Sequence, residues 1–156
     1  MRRQLTLAVV GCVAGAGLVL LAASRVWAEV ETGELPVRTE PRTGAQLFAW
    51  LPAAGLAALA GAGALIATRG IWRRAVGVLL ILCGLAAIGT AGHAVTEGAG
   101  PGWPAATAVG GGLMAWAGAA ATAVGARWPV LGTRYERPAD ADPWAAMDRG
   151  EDPTAG

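Results

Sequence analysis

Several side chains on which enzymes depend are missing from this sequence or occur only once. It contains no lysine and no asparagine, and Ser24 and His93 are its only serine and its only histidine. The absence of lysine excludes a Schiff base, and a single serine and a single histidine leave little material for nucleophilic or general-base catalysis. We therefore expect no enzymatic activity, no catalytic residues and no cofactor.

Metal ligands and nucleic-acid-binding patterns are also scarce. Cys12 and Cys83 both lie in apolar stretches, far apart and without a clustered histidine or carboxylate. Zinc sites need three or four such ligands close together, so we expect no metal site and interpret both thiols as small buried hydrophobic groups. The twelve positive charges are all arginine and are dispersed along the chain, which argues against nucleic-acid binding.

Apolar and small residues, by contrast, are abundant. Hydrophobic residues make up 54% of the chain, 24 residues are glycine and 15% are charged. A helix needs roughly 20 predominantly apolar residues to cross a bilayer. Four stretches without a central charge satisfy this length, namely 5–27, 47–68, 75–95 and 105–126. The predicted fold class is an all-α membrane protein, with four transmembrane helices in a compact bundle and a short cytosolic C-terminal tail.

The remaining segments predict the orientation of the spans. They are an N-terminus at 1–4, an acidic loop at 28–46, a basic loop at 69–74, a loop at 96–104 and a tail at 127–156. Arginine is retained on the cytoplasmic side, and most arginines lie in the N-terminus, the basic loop and the tail. We therefore predict a multi-pass protein of the plasma (inner) membrane with both termini cytoplasmic, and we expect 28–46 to be irregular. The alternative for the first span is a signal peptide cleaved after Ala28, although its apolar run is longer than usual.

Aromatic residues at the predicted helix ends provide a second indication of the membrane boundaries. Indole rings prefer the headgroup level, so these residues are expected to be interface anchors. They are Trp27, Trp50, Trp72, Trp103, Trp128 and Tyr135.

Small residues within the spans predict close contacts between helices. Pairs at four-residue spacing, which favour such contacts in membranes, are Gly11 with Gly15, Ala57 with Gly61, and Gly118 with Thr122. They predict a compact bundle, and the same surfaces could instead form a homo-oligomer. Gly110, Gly111 and Gly112 indicate either a close helix contact or a broken helix. In the second case they would line a transport route together with Trp116.

The polar tail carries a pattern typical of a short helix. Asp142 suits an N-cap, Pro143 suits the first helical position and Gly150 can end the helix, which predicts a helix at about 143–149. Trp144 and Met147 would share one face of it. So short a helix is unstable alone and needs a surface. We expect either a cytosolic protein bound through Trp144, Met147, Asp148 and Asp152, or docking on lipid, or a solvated tail without a partner.

The tail also carries a family resemblance. "WPVLGTRYERPADADPWAAMDRGEDPT", residues 128–154, following four apolar spans, resembles the tryptophan-associated transmembrane protein family of actinobacteria. The genes of that family lie among tryptophan-biosynthesis genes, so the resemblance implies a membrane location and a link to tryptophan metabolism, but no mechanism. The predicted function is a membrane scaffold or anchor for a cytosolic partner. The alternative is a small transporter, or transporter subunit, for tryptophan, indole or a related metabolite.

Overall fold

The protein is built mainly from helices. A computed structural model describes residues 2–32 and 38–124. Its elements in chain order are α1 (Arg2–Ala23), β1 (Val26–Thr32), β2 (Arg38–Thr43), α2 (Gly44–Leu47), α3 (Trp50–Ala67), α4 (Gly70–Thr96) and α5 (Gly102–Val124). The predominantly helical architecture is therefore confirmed. The predicted tail 127–156, with its helix at 143–149, lies outside the described residues.

The four long helices form a closed ring. Helix α5 packs between α1 and α4, α1 also packs against α3, and α3 packs against α4. Each neighbouring pair is antiparallel, because the chain reverses direction between successive helices. The largest apolar side chains with no exposed surface, Leu51, Leu65, Leu80 and Met114, lie inside the ring. Buried positions recur every three or four residues along each helix, which is the spacing of one helix face.

The outer surface of this ring is also apolar. Leu56, Leu82, Leu85 and Val109 each expose more than half of their surface. A helix that is hydrophobic on all sides suits a lipid environment, whereas the outer face of a water-soluble bundle carries charges. Arg3–Ala23 and Gly70–Thr96 are long and apolar enough to cross a membrane, and only 33% of each such window is buried within the protein. The apolar helix Leu51–Ala67 is shorter, and four spans remain a prediction.

The segment that we predicted to be an irregular loop is ordered, and this prediction was wrong. Helix α1 ends at Ala23, and β1 and β2 then pair as an antiparallel hairpin. Acidic residues and prolines suggested irregular structure, but each strand of a two-stranded hairpin is an edge strand, where proline is tolerated. Alternation of Val26, Ala28 and Val30 with polar residues also suits a strand.

The basic loop is shorter than the predicted 69–74. Helix α4 begins at Gly70, which adopts a φ of 54°, so Arg73 and Arg74 belong to the first turns of the helix. A left-handed φ is inexpensive only for glycine, which lets the chain reverse within two residues. At the other end of α4, Gly98 has a φ of 89° and Ala99 donates its backbone N–H to the Ala94 carbonyl at 3.0 Å. This Schellman motif ends the helix.

Candidate functional site

The predicted partner-binding residues are not among those that the structure describes. Trp144, Met147, Asp148 and Asp152 all lie beyond Val124, as do the predicted anchors Trp128 and Tyr135. Three features of the described chain remain as candidates for function. They are the glycine contacts of α5, the aromatic cluster beneath the hairpin, and the charged residues at the two ends of the bundle.

The glycine triplet does not break α5, which is helical throughout Gly102–Val124. A Cβ built on Gly110 would lie 2.7 Å from the carbonyl oxygen of Gly15 in α1, and one built on Gly111 would lie 2.6 Å from that of Gly84 in α4. Both distances are shorter than a real Cβ contact, so only glycine allows the backbones to approach so closely. Gly112 has no atom within 4 Å of its built Cβ. Two of the three glycines therefore form helix contacts.

A second crossing point joins α4 and α5 two turns away. A Cβ built on Gly77 would lie 2.8 Å from the carbonyl oxygen of Gly118, and one on Gly118 would press on Gly77 in return. The pairs Gly77–Gly118 and Gly84–Gly111 are seven residues apart on both helices. Four-residue spacing predicted contacts at Gly15 and Gly118, which are confirmed, but it missed the α4 side. A seven-residue glycine repeat in both helices was the available signal.

The four residues of the alternative transport route do not face a common space. Gly110 faces α1, Gly111 faces α4, and Gly112 has open space around its Cα. Trp116 exposes 51% of its surface and covers Gly11, whose built Cβ would lie 3.0 Å from the Trp116 ring. The described arrangement is thus a packed seam with an indole on its outer side.

Trp27 is the centre of the aromatic cluster beneath the hairpin. A β-bulge between Val26 and Ala28 adds Trp27 as an extra residue of β1, and a bulge of this kind redirects a side chain. The Trp27 indole N–H donates to the Ala22 carbonyl at 2.8 Å, and its backbone carbonyl accepts from the Gly100 N–H at 3.1 Å. Trp27 is only 3% exposed. It joins the end of α1 to the loop before α5 and is not placed at the protein surface as we predicted for an interface anchor.

Other aromatic side chains extend the cluster outward. The Phe48 ring lies 6.0 Å from the Trp27 ring and 6.2 Å from the imidazole of His93. The guanidinium of Arg25 lies 5.4 Å from the centre of the Trp103 ring, within the range of a cation–π contact. These contacts attach the hairpin and α2 to the ends of α4 and α5. The cluster is therefore a structural cap.

The remaining predicted anchors have exposed indoles near helix starts. Trp50 begins α3, Trp72 lies in the first turn of α4, and Trp103 lies in the first turn of α5. Their exposed fractions are 41%, 71% and 38%. These positions are compatible with an interface role, which stays a prediction.

Charge is separated between the two ends of the bundle. Arg3, Arg69, Arg73 and Arg74, which we call the arginine cluster, lie where α1 and α4 begin and α3 ends. Arg73 is 2% exposed, whereas the other three are exposed. Glu29, Glu31 and Glu40 on the hairpin and Glu97 after α4 lie at the opposite end. One exposed ion pair there joins Arg42 to Glu40 at 3.4 Å.

The cysteines are packed inside the helices and form no disulfide. The Cys12 thiol donates to the Ala58 carbonyl at 3.3 Å, which links α1 to α3. Within residues 2–32 and 38–124, no group of three or more His, Cys, Asp or Glu residues is placed to hold a metal ion.

Comparison with known proteins identifies a family. The model of the family described as tryptophan-associated transmembrane protein matches residues 9–154. No curated protein and no solved structure matches the chain.

Proposed function

The chain belongs to the tryptophan-associated transmembrane protein family, and from this premise we propose that it is a membrane anchor or scaffold. In this proposal the helices are fixed in the bilayer, and the tail 127–156 holds a cytosolic protein at the membrane. The partner is a protein of tryptophan metabolism, as the family name suggests. We assign no catalysis to the chain, because its single serine and single histidine are in separate parts of the bundle.

The observation that carries this proposal is the closed packing around α5. Carbonyl groups of Gly15, Gly77 and Gly84 approach α5 too closely to admit even a methyl group. Such backbone contacts are typical of stable association between helices in membranes. A helix held on two sides along its length is a rigid support, and recognition is then assigned to the segment that follows it.

We also propose four spans with both termini in the cytoplasm. The separation of arginines from glutamates between the two ends supports this orientation, since positive charge is retained inside. Single cysteines at Glu31 and Arg74, in a chain with Cys12→Ala and Cys83→Ala, provide the test. A membrane-impermeant maleimide applied to intact cells should label Glu31→Cys, and should label Arg74→Cys only after the cells are opened. The reverse pattern would contradict the orientation.

Crosslinking in the native membrane tests the scaffold role. Proteins captured by the full chain should be lost from a chain that ends at Pro138, and also from the double variant Trp144→Ala and Met147→Ala, because an aromatic anchor dominates many small interfaces. The matched control is Thr154→Ala in the same tail, which should retain the captured proteins. If the truncated chain captures the same proteins, the tail is not the binding segment.

The second candidate is a transporter, or transporter subunit, for tryptophan, indole or a related metabolite. The open space at Gly112 beside the exposed Trp116 is the observation in its favour. Uptake and export of labelled tryptophan and indole should then change in a deletion strain and be restored by the intact chain. Unchanged fluxes would eliminate this candidate and leave the scaffold proposal intact.

A further inference from the structure

The arginine cluster lies at the point where the chain leaves the described bundle. Gly118 of α5 packs against Gly77 of α4. Because the two helices are antiparallel, the end of α5 at Val124, six residues beyond Gly118, is level with Ile71, six residues before Gly77. Ile71 is flanked in sequence by Arg69 and Arg73. Whatever follows Val124 therefore starts beside the arginine cluster.

The described residues place no acidic group near this cluster. Each described carboxylate lies at the hairpin end of the bundle, separated from the cluster by the length of α4, or about 40 Å at 1.5 Å per residue. Screening by salt acts over about 8 Å at physiological ionic strength. The glutamates of the hairpin end therefore leave the positive potential of the cluster unchanged, and this end of the bundle attracts anions.

The rest of the chain has the complementary charge. After Val124 the sequence continues for 32 residues. Charge is separated within them as well, because three arginines come first, up to Arg137, and the acidic residues then dominate. The segment 138–156 contains five carboxylates and one arginine. They are Asp140, Asp142, Asp148, Glu151 and Asp152, with Arg149.

We propose that the acidic segment 138–156 docks on the arginine cluster of its own chain. The tether is long enough, because the residues between Val124 and Asp142 can extend over about 60 Å, whereas packed helices are separated by about 10 Å. A short flexible tether also gives an effective concentration in the millimolar range, so weak ionic contacts suffice. This inference rests on the proposed function in one respect: a partner that binds Trp144 must compete with the cluster for the same segment.

Spin labels can measure this contact in the complete protein. We suggest nitroxides on Ile71→Cys and Ala155→Cys in a chain with Cys12→Ala and Cys83→Ala, in nanodiscs of phosphatidylcholine alone. Ile71 is 71% exposed, so a label there should not disturb the fold. Distances by double electron–electron resonance should include a short, narrow population. That population should be lost at 1 M salt, where screening acts over about 3 Å.

Charge variants identify the contact. Neutralising the segment with Asp148→Asn, Glu151→Gln and Asp152→Asn should remove the short distances without affecting the bundle, and Arg69→Glu with Arg74→Glu should do the same from the other side. The matched control, Glu29→Gln with Glu31→Gln at the hairpin end, should leave them unchanged. Short distances that survive neutralisation of the segment would overturn the proposal.

A second arm separates the chain's own segment from lipid. In nanodiscs containing phosphatidylglycerol the short distances should persist. Their loss would mean that anionic headgroups occupy the cluster, and it would overturn docking in the membrane. Neither result decides the scaffold role. If the neutralised segment no longer docks but still captures the crosslinked proteins, docking has been removed and the partner interaction remains.

Discussion

Replacing Gly111 by alanine should weaken the contact between α4 and α5, whereas the same replacement at Gly112 should not. The added methyl group at Gly111 would lie 2.6 Å from the Gly84 carbonyl oxygen and 3.1 Å from the Ile88 side chain. Restoring a contact of about 3.4 Å requires the helices to separate by about 0.8 Å, which reduces dispersion attraction along the seam. At Gly112 the methyl group would meet nothing within 4 Å.

The magnitude follows from two opposing terms. Alanine is favoured over glycine in a helix interior by about 1 kcal/mol. Overpacking a tight interior costs about 1–3 kcal/mol. Gly112→Ala should therefore raise the free energy of unfolding by up to about 1 kcal/mol, while Gly111→Ala should lower it by up to about 2 kcal/mol. Because the two residues are adjacent in one helix, the difference between the variants isolates the contact with α4.

The assay is equilibrium unfolding in mixed micelles, in which the fraction of sodium dodecyl sulfate is raised and helix content is followed by circular dichroism. Both variants and the unaltered protein should be compared at the same micelle concentration. Equal stabilisation by the two alanines would refute the reasoning, because it would mean that α4 does not approach α5 at Gly111. A stronger test replaces both glycines of one pair, Gly84 and Gly111, whose effects should not be additive because they share one contact.

Two further predictions concern the cap. Trp27→Phe should lower the free energy of unfolding by about 0.5–1.5 kcal/mol for the lost hydrogen bond to Ala22, plus a cost for the missing indole volume; Trp72→Phe, at an exposed site, should change it by less than about 0.5 kcal/mol. Thermal unfolding of the two variants in the same detergent measures the difference, and equal values would contradict a buried role. Gly98→Ala should cost about 1–2 kcal/mol, because it forces a left-handed φ on a residue with a side chain. Gly102→Ala is its control, and an equally stable Gly98→Ala variant would show that α4 does not end in the Schellman motif.

Part of the architecture could be predicted from the sequence because it depends on local composition. Long uncharged apolar runs are sufficient to predict helices in a membrane, since a bilayer leaves backbone groups no partner outside their own helix. Contacts at Gly15 and Gly118 were also predictable, because small residues at helical spacing permit close approach. The family assignment depended on the tail, whose residues 128–154 fall almost entirely outside the described structure.

The hairpin was not predictable in the same way. Two strands rich in glutamate and proline carry little intrinsic preference for a sheet, and an isolated hairpin is barely stable in water. Here it is stabilised by Trp27, which lies under Gly44 and next to Phe48. That contact joins residues from separate elements and cannot be inferred from the composition of the loop. It also explains why Trp27, at a predicted helix end, lies inside the protein.

The sequence by itself determined that the chain is helical and apolar, which family it resembles, and which chemistry it lacks, because these depend only on which residues are present and on their spacing. Tertiary structure decided how the glycines are used. Gly110, Gly111 and Gly112 are identical and consecutive, yet one contacts α1, one contacts α4 and one contacts neither. Successive residues of a helix point about 100° apart, so the function of each glycine is set by the helix that lies in its direction.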